Sequence, residues 1–226
     1  MTTRLHSVCF AAHRPLALAQ FWGELLGWRA ADGDPLLLVS GDERAIPIRF
    51  VATAEPKVQQ TKMHFDLTND SAQEQLRMVE RVLALGGRHA DVGQKGDEGH
   101  VVLADPEGNE FCAIEPGNAF LAGCGQVGAV SSEGTRALGL FWSAALGWPL
   151  VWDQDEETAI QSPRGGTKIT WGGPPVSPSV GKDLFLTVEV DGAADAERLV
   201  QLGASSLDQG TWIDPDGNKF SVLTRL

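Results

Sequence analysis

The chain has 226 residues, enough for one large domain or two small ones at roughly 100–150 residues each. With 42% hydrophobic and 21% charged residues it can bury a core, which excludes a disordered chain. Lysine and arginine number 18 against 30 aspartates and glutamates, and a net charge of −12 repels phosphate backbones and anionic lipid, so neither nucleic acid nor a membrane is expected as a partner. The apolar run Leu36–Val39 is of strand length, far short of the ~20 residues that cross a bilayer. The residues after Met1 have no signal-peptide pattern, and Cys9, Cys112 and Cys124 are odd in number without ligand spacing. A cytoplasmic protein with reduced thiols is the expectation.

In chain order, Leu5 to Phe10 has strand composition and Pro15 suits the first position of a helix. Leu18, Phe21, Trp22 and Leu25 form one apolar stripe, and Gly27 suits the helix C-cap. Strands are expected after Trp28, around Leu36–Ser40 and around Ile46–Val51. Lys62 to Leu67 then alternates, with Met63, Phe65 and Leu67 on a packed side and His64 and Asp66 on the other. Ser71-x-x-Glu74 is a capping box, opening a helix that should carry Leu76, Val79 and Leu83 inward and end near Gly86-Gly87. Val101–Ala104 and Glu110–Ile114 flank Asp105-Pro106-Glu107-Gly108-Asn109, where Pro106 presets a type I turn. Between Val101 and the preceding helix, Asp97-Glu98-Gly99-His100 lies in a Gly-rich loop. Glu115 to Gly125 reads as a linker.

After the linker the pattern returns. Phe21-Trp22-x-x-x-Leu26-Gly27-Trp28 recurs as Phe141-Trp142-x-x-x-Leu146-Gly147-Trp148, displaced by 120 residues. The Asp105–Phe111 turn recurs as Asp214-Pro215-Asp216-Gly217-Asn218-Lys219-Phe220, displaced by 109. Leu138, Phe141, Trp142 and Ala145 repeat the first helical stripe. Two copies of one domain therefore lie in tandem, residues 1–117 and a shorter 118–226. Each is built from two units of order βαβββ, with helices starting near Pro15, Ser71, Gly134 and Gly192.

The helix end and the Asp-Pro-Glu-Gly-Asn-Glu-Phe hairpin resemble the glyoxalase-like branch of the vicinal oxygen chelate superfamily, which includes glyoxalase I, bleomycin-resistance proteins and extradiol dioxygenases. The resemblance implies an α+β fold whose four units pair into two tandem domains with curved, cup-forming sheets. It also implies a small-molecule ligand, in some members with a divalent ion that binds two neighbouring substrate oxygens. Family ligands sit on the first and last strands of the units. Transferred position by position, His6 and His64 match the two histidines and become the metal candidates, with zinc, nickel, manganese or iron as the possible ion. The first carboxylate position falls near Arg49 and the second at Cys112, so neither glutamate is present, and tight metal binding is not expected. In the second copy Gln126, Phe185 and Ser221 stand at the positions of His6, His64 and Cys112. That copy therefore reads as structural, or as a lid and wall for the first cup.

The leading expectation is a protein that binds a small hydrophobic or aromatic molecule in a first-domain cup lined by His6, Arg49, His64, Asp66 and Cys112. The alternative is a metal-dependent lyase, isomerase or dioxygenase using His6 and His64, the two facing one concavity. Glu110, on the same strand face as Cys112, and His100, at the mouth of the cup, are the candidate acid or base groups. Trp22 and Trp142 complete apolar stripes and read as core, whereas Trp152, Trp171 and Trp212 are either pocket walls or ordinary packing. His13 reads as a surface or capping residue. No third partner is implied beyond the ligand, and the chain is read as a monomer or a homodimer.

Overall fold

A computed structural model describes residues 3–173 and 181–225. The first unit comprises β1 (Arg4–Ala12), α1 (Pro15–Leu26), β2 (Arg29–Ala31), β3 (Asp34–Val39) and β4 (Ile48–Ala52). The second comprises β5 (Met63–Leu67), α2 (Ala72–Ala84), β6 (Arg88–His89), β7 (Val101–Ala104) and β8 (Glu110–Ala113). The third runs β9 (Val127–Glu133), α3 (Arg136–Leu146), β10 (Leu150–Gln154), β11 (Glu157–Gln161) and β12 (Lys168–Gly172). The fourth runs β13 (Leu184–Val190), α4 (Ala193–Gln201), β14 (Ser205–Ser206), β15 (Thr211–Ile213) and β16 (Lys219–Thr224).

Local chemistry accounts for the helix boundaries. Pro15 occupies the first turn of α1, where its missing N–H has no partner to lose. The Ser71 Oγ accepts the Glu74 N–H at 3.2 Å, and Thr135, one residue beyond the expected start, caps α3 by accepting the Leu138 N–H at 3.2 Å. Gly27 and Gly147 end α1 and α3 in the left-handed region, both at φ 66°. The inward face of α2 differs from expectation. Leu76 is 57% exposed and Leu83 44%, while Val82 is fully buried with Met78, Val79 and Leu85 packed beside the core. The sequence offers two overlapping apolar stripes one residue apart, and the contact with the sheet selects the second.

The sheets are assembled across the two copies. One eight-stranded sheet has the order β14-β15-β16-β13-β1-β4-β3-β2, joining the fourth unit to the first. The other, β10-β11-β12-β9-β5-β8-β7-β6, joins the third to the second. Antiparallel seams between the opening strands make both junctions, β1 with β13 and β5 with β9. Within each unit the opening strand runs parallel to the closing strand, as β5 does to β8.

The aromatic clusters follow the sequence copies instead. Trp22 of the first unit packs on Phe65 and Phe111 of the second, with ring centroids 5.5 and 4.9 Å apart. Trp142 of the third unit meets Phe220 of the fourth at 5.2 Å. The repeated turns tie each pair of units together. Glu107 accepts the backbone N–H groups of His13 and Arg14 at the start of α1, at 2.9 and 2.7 Å. Asp216 likewise accepts from the N–H and hydroxyl of Thr135 at 2.7 and 2.9 Å. Each copy therefore packs its own aromatic cluster, within one hydrophobic core that runs through both copies, and holds only half of each sheet.

Candidate functional site

The β5–β9 seam carries a large cavity. On β5, Met63, Phe65 and Leu67 are buried in the core, so alternation turns His64 and Asp66 to the opposite face. Antiparallel pairing sets His64 opposite Ser131 and Asp66 opposite Ala129, and parallel pairing sets Asp66 beside Cys112. His64 Nε2 lies 3.5 Å from Asp66 Oδ1. The Ser131 hydroxyl donates to Asp66 Oδ2 at 2.5 Å, and the Thr170 hydroxyl donates to Ser131 at 3.2 Å. A polar chain thus runs from β12 across the seam to His64.

Above this floor opens a cavity of about 780 Å³, inside the range of small-molecule sites. His64, Ser131 and Thr170 contribute polar groups, while Phe120, Val151, Trp152 and Trp171 supply apolar wall. Phe120 and Trp152 meet edge to face with centroids 6.0 Å apart. Lys168 holds the segment in place: its Nζ donates to the Phe120 carbonyl and sits 4.3 Å from the centre of the Phe120 ring. Residues expected to be a plain linker therefore form one wall of the cavity.

Electrostatics differ sharply between the two histidines. Burial works to lower the His64 pKa, but hydrogen bonds to Asp66 and Cys112, together with their charge, outweigh it and push the value up to about 10. His6 lies in the other sheet, its Nδ1 2.9 Å from the Ser7 hydroxyl and its Nε2 3.9 Å from Glu189. Burial holds its pKa below the usual imidazole value, opposed by the Glu189 charge.

The expected shared concavity of His6 and His64 is therefore not formed, and neither is a cup belonging to the first copy alone. His6 belongs to the β1–β13 seam and His64 to the β5–β9 seam. Arg49 lies on β4 beside Cys9, in the His6 sheet, and pairs with Asp34 at 2.7 Å. Glu110 is bound by Lys57 at 2.6 Å and by the Thr61 hydroxyl at 2.9 Å. Burial raises its pKa, but these partners hold it below the usual carboxylate range, so it braces β8. His100 precedes β7 and does not line the large cavity. Trp171 is almost fully buried yet reaches the cavity wall, Trp152 is 40% exposed at its mouth, and Trp212 is core.

The resemblance implies a divalent ion, and among the described residues one donor set fits it. His64, Asp66 and Cys112 offer a nitrogen, an oxygen and a sulfur within 4.8 Å of one another. The two glutamate positions of the resemblance hold Arg49 and Cys112, and the carboxylate nearest His64 is that of Asp66. Asp66 stands two residues after His64 on the same strand face, and the parallel β5–β8 register sets it beside Cys112. Sequence reasoning missed Phe120, Ser131, Lys168 and Thr170. For Ser131, Lys168 and Thr170 the only signal was the match of β9 and β12 to the opening and closing strands of the other units, and Phe120, in the linker stretch, had none.

This fold and site define a member of the glyoxalase-like family. The chain belongs to that family, whose glyoxalase-like domain pattern matches residues 7–114 and again 129–223, and with it to the vicinal oxygen chelate superfamily. Among solved structures it is similar to glyoxalase I from Zea mays, with a TM-score of 0.67 and 16% identity over 99% of this chain and 92% of that one. It is also similar to a candidate dioxygenase from Bacillus subtilis, with a TM-score of 0.57 and 14% identity over 99% of this chain and 85% of the other. At these identities the likeness concerns the fold. No curated protein matches.

Proposed function

We propose that the chain binds a small hydrophobic or aromatic molecule in the cavity over the β5–β9 seam. The observation that carries this reading is the cavity of about 780 Å³, walled by Phe120 and Trp152 and floored by His64, Ser131 and Thr170. Aromatic walls bury a flat ligand while the hydroxyls and imidazole orient its polar edge. The second copy supplies Ser131, Trp152 and Thr170, so it is a working wall of the site. The second and third units of one chain supply the strands that carry the cavity. No described helix is long and apolar enough to cross a membrane, and three free cysteines accord with a cytoplasmic setting.

The test is titration with an aromatic fluorophore, anilinonaphthalene sulfonate, followed by calorimetry with a panel of aromatic molecules. Saturable binding of one probe per chain is expected. Trp152→Ala removes an aromatic contact worth about 1 kcal/mol and weakens binding roughly fivefold. Leu207→Ala, an exposed residue near the other sheet, leaves it unchanged. Non-saturable binding, or affinity unchanged from the native chain in both Trp152→Ala and Phe120→Ala, refutes the assignment.

A further inference from the structure

We propose that His64, Asp66 and Cys112 form a zinc-binding site at the edge of the cavity, with all three ligands drawn from the second unit. Residues 64 and 66 share one face of β5, and the parallel register sets Cys112 of β8 beside Asp66. The three donor atoms lie within 4.8 Å of one another, and His64 Nε2 is 3.5 Å from Asp66 Oδ1. A tetrahedral zinc with nitrogen and oxygen ligands at about 2.0–2.1 Å holds those ligands about 3.4 Å apart. The pair already stands at that separation.

A second observation supports the site independently of its donor set. Ser131, from the other copy, donates to Asp66 Oδ2 and is itself held by Thr170. This leaves Oδ1 as the oxygen turned toward His64, which is how an outer-sphere hydrogen bond orients a ligating carboxylate. Across the seam the facing residues Ser131 and Thr170 are hydroxyls, so the ion would be held from one side only.

Zinc is the ion this donor set selects. A thiolate is a soft ligand and an imidazole a borderline one, whereas magnesium, calcium and manganese favour sites built from oxygen. Zinc accepts nitrogen, oxygen and sulfur together and needs no more than four ligands. When bound, it supplies Lewis acidity beside the cavity that His64 lines. The site does not depend on which molecule fills the cavity.

The experiment uses the full chain without a histidine tag, stripped by a chelator and then exposed to zinc. Elemental analysis after gel filtration should find one zinc per chain, with affinity read by competition against a chromophoric chelator. Cobalt(II) in place of zinc should give the intense visible bands of a tetrahedral site and a thiolate-to-cobalt charge-transfer band. Cys112→Ser, close in size to the native residue, should abolish that band and weaken zinc by more than about 100-fold, and Ser131→Ala should weaken it by about 10–100-fold. Cys9→Ser and Cys124→Ser should leave both readouts intact. His64→Ala should also lose zinc, with cooperative unfolding checked in parallel; if it does not fold, Cys112→Ser carries the decision. Zinc that is not retained, or retained equally by Cys112→Ser, overturns the proposal. Failure of the native chain to retain zinc, with saturable fluorophore binding intact, overturns this inference alone and leaves the small-molecule reading standing.

Discussion

Asp105 is a fully buried carboxylate on which the first repeated turn is built. Its Oδ1 accepts the N–H groups of Glu107 and Asn109 at 2.9 and 3.0 Å. Its Oδ2 accepts from the Asn109 side chain at 2.7 Å and from the Trp22 indole at 3.2 Å. The turn leads directly into β8, so these bonds also bear on the register that places Cys112 beside Asp66. Asp105→Asn keeps the shape and one acceptor but turns an NH2 group toward two donors. Two buried donors then lack partners, at about 1–3 kcal/mol each. Relief of a desolvated carboxylate, whose pKa burial raises, offsets part of that loss. A net destabilisation of about 2–4 kcal/mol is expected.

The matching Asp214 receives the N–H groups of Asp216 and Asn218 and the Asn218 side chain, with no tryptophan donor among its bonds. Asp214→Asn should therefore be milder, at about 1–2 kcal/mol. Urea unfolding at pH 7, followed by tryptophan fluorescence, measures both; the chain has seven Trp and no Tyr. A double-mutant cycle of Asp105→Asn with Trp22→Phe isolates the indole bond, with a coupling of about 1 kcal/mol expected. A loss below about 0.5 kcal/mol for Asp105→Asn, or a coupling of zero, would show that the turn is held by its backbone alone.

Gly139→Ala places a Cβ 1.9 Å from the Thr158 hydroxyl and 2.6 Å from its Cβ, forcing α3 off β11. Although alanine is the better helix former by about 1 kcal/mol, overpacking should dominate and lower stability by about 1–3 kcal/mol, and a rise in melting temperature would contradict the contact. Val82→Ala, at a fully buried position, should cost about 1–3 kcal/mol, whereas Leu76→Ala should change stability by less than about 0.5 kcal/mol. Chemical denaturation decides between them, and equal losses would restore the other helix face. His6 should titrate below 6.5 in an NMR series, and Glu189→Gln should lower its midpoint further. Because the folded value is depressed, the stability tied to His6 is present above pH 6.5 and is lost as the pH falls through the folded midpoint. A midpoint at or above 6.5 would mean that Glu189 outweighs burial.

Much of this protein was legible in the residues alone, because the signals were local. The turn around Asp105 and its copy at Asp214, the stripes of α1 and α3, and the Ser71 cap each depend on residues within a few positions. The alternation of β5 likewise placed His64 and Asp66 on one face before any neighbour was known. Unit pairing was of another kind. β1, β5, β9 and β13 carry similar patterns, and strands join through backbone N–H and C=O groups that every residue offers alike. Nothing along the chain distinguishes a seam within one copy from a seam between copies, so the separation of His6 from His64 emerged only in the assembled sheets. The same assembly brought Ser131 to Asp66 across 65 residues of chain and folded Phe120 over Lys168. The choice of apolar stripe on α2 also waited on what lay beneath it. Local chemistry thus specified the units and their cores, while the cavity exists only where backbone pairing joins strands from opposite ends of the repeat.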